Sequence, residues 1–226
     1  MRRRELTAMV SGLLWLGGWQ ESAQAGFLSQ ADASAGVRAA LERGAVAAVG
    51  LLGKQDGFLG NPKVRIPLPG FLNDAAKVLK FTGQQKRVDE LTKAMNRAAE
   101  AAVPEARDML VNAAKTISVQ DALKIVRGGD TSVTDYFAGR TRSPLTTKFL
   151  PIVTEATAKV SLAEKYNAVA AKATGLGLVK KEDANIQNYV TRKALDGLYV
   201  MIGEEEKKIR QDPVGTGSDL LRKVFG

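Results

Sequence analysis

The stretch from Glu182 to Arg210, EDANIQNYVTRKALDGLYVMIGEEEKKIR, sets Ile186, Tyr189, Val190, Leu195, Leu198, Met201, Ile202 and Ile209 at helical spacing. Steps of three and four return a side chain to the same side of a helix that turns once in 3.6 residues. The spacing predicts one long helix with a buried side, stopped at Asp212-Pro213 because proline lacks a donor and restrains the residue before it. Glu204, Glu205 and Glu206 point in successive directions around this helix. They read as surface charges, Glu204 paired with Lys208 and Glu206 with Arg210, rather than as an acid/base or metal cluster. Gly215-Thr216-Gly217-Ser218 leads on to a short closing helix from Asp219 to Phe225.

The same periodicity recurs toward the N-terminus. Val37, Leu41, Ala45, Val49 and Leu52 mark a helix from Ser34 to Leu52, and Phe71, Ala75, Val78 and Leu79 mark a second. A third runs from Gln84 to Val103, with Val88, Leu91, Met95, Ala98, Ala99 and Ala102 on one side. Pro104 suits the first residue of the next helix, where a missing donor costs nothing. Ser118-Val119-Gln120-Asp121 reads as a capping box opening a short helix to Val126, and Asp130 as a cap before Val133 to Phe137. Ser143-Pro144 starts another helix, kinked or broken at Pro151, and Ser161 caps a further one ending at Gly175. Tyr136, Phe137, Phe149, Tyr166, Tyr189 and Tyr199 fall at core-like spacing on these helices. The fold expected is all-α: one orthogonal array of nine or ten helices, without an internal repeat.

One stretch departs from the pattern. From Gly57 to Gly70 the chain reads GFLGNPKVRIPLPG, and Pro62, Pro67 and Pro69 forbid a continuous helix. The alternation of Val64, Ile66 and Leu68 suits a short extended segment or edge strand.

At the N-terminus Arg2, Arg3 and Arg4 precede an uncharged stretch from Leu6 to Trp19 and the small-residue site Ala23-Gln24-Ala25. These are the three parts of a secretory signal, expected to be cleaved after Ala25, so that residues 26–226 form the helical domain and the address is periplasmic. Arg3-Arg4-Glu5-Leu6 partly resembles a twin-arginine signal, which Glu5 and Thr7 fit poorly. The uncharged stretch is too short for a bilayer that needs about 20 residues, and no transmembrane helix is expected elsewhere. Without its signal the chain holds 30 basic and 22 acidic residues, a net charge of +8. Lys54, Lys63, Arg65, Lys77, Lys80, Lys86 and Arg87, against Asp56 and Asp74, concentrate much of it. Such a patch suits an anionic lipid or an acidic envelope protein; an exported address argues against nucleic acid.

Cysteine and histidine are both absent. That excludes disulfides, a cysteine-linked lipid anchor, histidine-dependent nucleophilic catalysis and zinc sites built on nitrogen and sulfur. No catalytic residue, metal site or cofactor is assigned. Gly175-Leu176-Gly177-Leu178-Val179-Lys180-Lys181 follows a helix rather than a strand and lacks the rest of a phosphate loop, so it reads as a helix end and linker.

Several short motifs recur together in a family known from other chains. They are Gly57-Phe58 with Asn61; Val64-Arg65-Ile66-Pro67-Leu68-Pro69; Met95-Asn96-Arg97-Ala98-Ala99-Glu100 with Pro104; and Asp121-Ala122 before Gly128. Tyr136-Phe137, Phe149 with Pro151, Tyr166-Asn167, Tyr189-Val190-Thr191 with Ala194-Leu195 and Gly197-Leu198, and Glu205-Glu206 through Ile209-Arg210 to Asp212-Pro213 continue the match, closed by Leu220-Leu221 and Phe225. On these residues the chain resembles the bacterial exported family called domain of unknown function 4197, over nearly all of its length after the signal. The resemblance implies an exported helical protein of Gram-negative bacteria, with some relatives lipid-anchored, and no activity or catalytic residue to carry over. This chain lacks the anchoring cysteine.

The reading that follows is a non-enzymatic binding or interaction module. Phe58, Ile66 and Leu68 would line or cover a groove, with Asn61 beside them, while Lys63 and Arg65 meet an anionic lipid or an envelope partner. Equally, the prolines simply lay the loop across the helical core. An envelope hydrolase or lyase working through paired carboxylates, and a structural envelope component acting by oligomerisation, are the alternatives.

Overall fold

The computed structural model describes residues 30–70, 72, 83, 85–129, 131–175 and 185–212. The regular elements are α1 (Gln30–Leu52), α2 (Gln85–Ala102), a 3-10 turn (Val103–Ala106), α3 (Arg107–Lys115), α4 (Val119–Arg127), α5 (Ser132–Thr157), α6 (Ser161–Gly175) and α7 (Ile186–Gln211). Among the described residues all regular structure is helical, and none of these helices is long and apolar enough to cross a membrane. The signal segment, the helix expected at Phe71 to Leu79, the Asp130 cap, the residues after Gly175 in the glycine loop and the closing helix lie outside the described residues.

Helix α7 is the axis of the packing. Apolar residues from Ile186 to Ile209 are buried along it, and α5, α1 and α2 lie against it, while α3 and α4 pack on α1. Its first turn is capped by Asn185, whose side chain accepts from the backbone N–H of Asn188 at 2.7 Å. Asn167 of α6 fixes the same end, accepting from the Ile186 N–H at 2.8 Å and donating to Gln187. At α4 the expected cap is present: the Ser118 hydroxyl accepts from the Asp121 N–H at 3.0 Å.

Among the described residues there are seven α-helices, fewer than the nine or ten expected; two of the expected ones lie outside those residues, and three predicted pieces are one. Val133 to Phe137, the start at Ser143-Pro144 and the break at Pro151 all fall inside α5, which runs unbroken from Ser132 to Thr157. Each proline costs a helix interior about 3 kcal/mol relative to alanine. Against that, Val133, Phe137, Leu145, Phe149 and Val153 are buried, each contributing roughly 1.5–3 kcal/mol. Packing therefore outweighs the two prolines, whose own rings sit on the exposed side. The buried positions recur every fourth residue, so the stripe drifts by about 40° per turn. That winding lets α5 touch α7, α2, α3 and α4.

The chain between α1 and Gly70 forms no strand. It turns repeatedly, with the N–H groups of Gly57, Gly60, Asn61 and Arg65 bonded to the carbonyls of Lys54, Asp56, Phe58 and Asn61, and then extends to Pro69. The predicted alternation holds: Val64, Ile66 and Leu68 are buried, Arg65 and Pro67 exposed. What pairs with the extended backbone is a side chain. Asn96 of α2 accepts from the Ile66 N–H at 2.8 Å and donates to the Ile66 carbonyl at 3.0 Å, satisfying both backbone groups of one residue as a neighbouring strand would.

Candidate functional site

The Lys54–Gly70 segment is seated by groups that face inward. Gly57 opens it, where a Cβ would stand 2.4 Å from the Leu52 carbonyl oxygen, so only glycine passes. Asp56, just before it, adopts a left-handed φ of 64° that a side chain tolerates poorly. Arg97 holds its carboxylate at 2.8 Å. Glu100, 5% exposed, accepts the N–H groups of Phe58 and Leu59 through Oε1, both at 3.0 Å, and takes Arg97 on Oε2. The Tyr189 hydroxyl donates to the Pro67 carbonyl at 3.0 Å.

The six residues singled out in the sequence divide between two roles. Phe58, Ile66 and Leu68 are buried in the main apolar cluster, so the structure places them in the core rather than on the wall of an open groove. Asn61 is half-buried; its side chain accepts from the Lys63 N–H and its amide points to the Met201 sulfur at 3.8 Å. Lys63 is exposed and pairs with Glu204 of α7, which replaces the expected Glu204–Lys208 pair; Lys208 bonds Glu205 instead, at 2.6 Å. The Glu206–Arg210 pair is as expected. The Lys63 ammonium, hydrogen-bonded to Glu204, holds that carboxyl below the usual carboxylate range. Arg65 is exposed, and no carboxylate among the described residues pairs with it.

Sequence reasoning passed over Asn96 and Glu100 as holders of the loop. The signal for them was present: two polar residues four apart on the buried side of α2, among Met95, Ala99 and Ala102. A polar group at such a place needs internal partners, and here the partners are loop amides. Chemically, both oxygens of Glu100 are engaged, and Asp56 shares the same arginine. The two carboxylates that converge here therefore act as clamps. Among the described residues no group of three acidic side chains is placed to hold a metal ion.

No curated protein and no solved structure matches the chain. A family model described as protein of unknown function, DUF4197, matches residues 27–226. That match takes in the whole loop, the clamps on α2 and the central helix, and the chain belongs to this family of unknown function.

Proposed function

We propose that the chain is a non-enzymatic binding module, exported to the periplasm, that presents the Lys54–Gly70 segment to the anionic headgroup of an envelope lipid. The observation that supports this reading is the asymmetry of the segment. Its inner side is held by Glu100, Asn96 and Tyr189, while Lys54, Pro62, Arg65 and Pro67 face outward. A loop held in one conformation loses little entropy when it binds, so a modest set of outward contacts suffices. Arg65 is the group that meets the anion, with its fork of donors matched to phosphate oxygens. Lys63, engaged by Glu204, is the switchable neighbour rather than the primary contact.

The test is co-sedimentation of the purified chain with vesicles of phosphatidylglycerol and, separately, of phosphatidylcholine. The expected result is retention on the anionic vesicles that falls several-fold in Arg65→Glu, a substitution at an exposed position that leaves the fold intact. Equal retention on both vesicle types, or an unchanged value in Arg65→Glu, would overturn the reading. Specific retention of an envelope protein instead of lipid would transfer the site to a protein partner.

A further inference from the structure

Helix α7 turns one apolar side chain outward. Its other apolar residues from Ile186 to Ile209 are buried, whereas Val200 is 47% exposed, the most exposed large apolar residue among those described. A β-branched residue is a mediocre helix former, so an exposed turn offers no local reason for valine. Seven residues complete two turns less about 20°, so Lys193, Val200 and Lys207 stand in one row, about 10.5 Å apart along the axis and within about 40° around it. Lys193 is half-buried and Lys207 exposed, and among the described residues no carboxylate pairs with either. Asp196 and Glu204, four residues to each side of Val200, are both occupied, Asp196 by Arg142 at 2.9 Å and Glu204 by Lys63. The acidic charge beside the row is thus engaged within the fold, and the two lysines flank an apolar tip.

The row runs beside the Lys54–Gly70 segment, which meets α7 at Gly197, Met201 and Glu204. At about 100° per residue, Glu204 lies about 40° around the helix from Val200 and Gly197 about 60°. Pro62, itself exposed, falls between Asn61, whose amide points to the Met201 sulfur, and Lys63, which bonds Glu204. Val200 therefore borders the same surface as Pro62 and Lys63.

We propose that Val200 is the point at which this surface enters an anionic membrane, its side chain passing below the lipid phosphates while Lys193 and Lys207 meet them on either side. The proposal rests on the lipid reading of the loop and adds to it a second element, α7, lying along the membrane plane. Charge complementarity selects this occupant. A leaflet carries its phosphates outside its acyl chains, and an apolar tip flanked by cations repeats that order, with the lysine stems long enough to hold their ammonium groups at phosphate level. The buried centre of a protein interface is instead depleted of charge, and a single valine between two lysines does not supply one.

The chain has no cysteine, so Val200→Cys gives a single attachment point for an environment-sensitive fluorophore, and Val119→Cys, at an exposed valine of α4, gives the comparison. With phosphatidylglycerol vesicles the label at position 200 should brighten, shift to the blue and be quenched by nitroxide-bearing lipids, while the label at position 119 keeps its emission in buffer. Phosphatidylcholine vesicles should change neither. In co-sedimentation Val200→Asp should lose retention several-fold, and Lys193→Gln and Lys207→Gln roughly fivefold each, with the helical circular-dichroism signal unchanged. If the chain is retained on anionic vesicles through Arg65 while the label at 200 stays in water, this inference fails and the lipid reading of the loop stands; if anionic vesicles do not retain the chain at all, both fail. Brightening of both labels alike, or brightening at 200 that grows with protein concentration in the absence of vesicles, would also overturn the inference, the second result assigning the tip to a contact between copies.

Discussion

The ring of Phe58 occupies the space that a side chain at position 197 would need: a Cβ on Gly197 would stand 2.7 Å from Phe58 Cε1 and 3.2 Å from Val64 Cβ. Glycine in mid-helix costs about 1 kcal/mol relative to alanine, so its presence in α7 reflects this close approach. Gly197→Ala is expected to destabilise by about 1–3 kcal/mol net, through overpacking. Phe58→Ala should cost about 3–5 kcal/mol by leaving a cavity. In urea unfolding the double variant should cost clearly less than the sum of the two, because the alanine methyl enters the space the ring vacates. Additive values would show that the ring and the glycine are not coupled.

Glu100 is the second hold on the same loop. Glu100→Ala strands two loop amides and leaves Arg97 with Asp56 as its remaining carboxylate partner, an expected loss of about 2–5 kcal/mol. Glu100→Gln keeps one acceptor and should lose about 1–3 kcal/mol. Hydrogen exchange at Phe58 and Leu59 is the direct readout: both amides should exchange faster in either variant, with the middle of α7 unchanged in Glu100→Gln.

Pro144 and Pro151 sit on the exposed side of α5, which stays helical through both. Replacing either by alanine restores a backbone donor, but it also frees the unfolded chain, which offsets up to about 1 kcal/mol. The expected net gain is about 1–2 kcal/mol per site, seen as a higher urea midpoint with the same slope. A loss of stability would mean that the prolines set a bend on which the packing of Leu145 and Phe149 depends.

Stability should be flat from about pH 5.5 to 7, since the chain has no histidine to titrate there. Below that, two carboxyls matter. Glu204 is held low by Lys63, and Asp121 first by the Ser118 hydroxyl and then by Arg140. An acid whose folded value is depressed contributes fully above its unfolded value and loses that contribution as the pH falls. Melting temperature should therefore drop from about pH 4.5 downward. Lys63→Met removes the Glu204 part, so its melting temperature should start lower at pH 7 and fall less steeply in acid.

Helices α1, α2 and α7 were legible in the sequence because their apolar residues keep the period of a helix that packs along one side or runs through the core. The loop was legible as an interruption, since three prolines are a local signal. What could not be read were relationships across the fold. Glu204 has an ordinary partner four residues on, yet it bonds Lys63, which arrives from 141 positions away. The run through Pro144 and Pro151 was misread for the same reason: a proline weighs locally, whereas the burial of Phe137, Leu145 and Phe149 is settled by the helices around them. Among the six loop residues, the alternation correctly separated inward from outward side chains but could not say whether the inward side met solvent, a ligand or the core. The Arg142–Asp196 ion pair left no trace in sequence, because its partners come from different helices.

The hold of Asn96 on Ile66 also bears on how these molecules behave when crowded. An extended stretch of alternating apolar residues is a template on which a second chain can add a strand, the first step toward fibrous assembly. Here the N–H and the carbonyl of Ile66 are both taken by one carboxamide, the Pro67 carbonyl is taken by Tyr189, and Pro67 and Pro69 have no N–H to offer. A segment whose composition invites recruitment thus has these groups engaged within its own fold before a second copy can reach them, by the same amide that seats the loop.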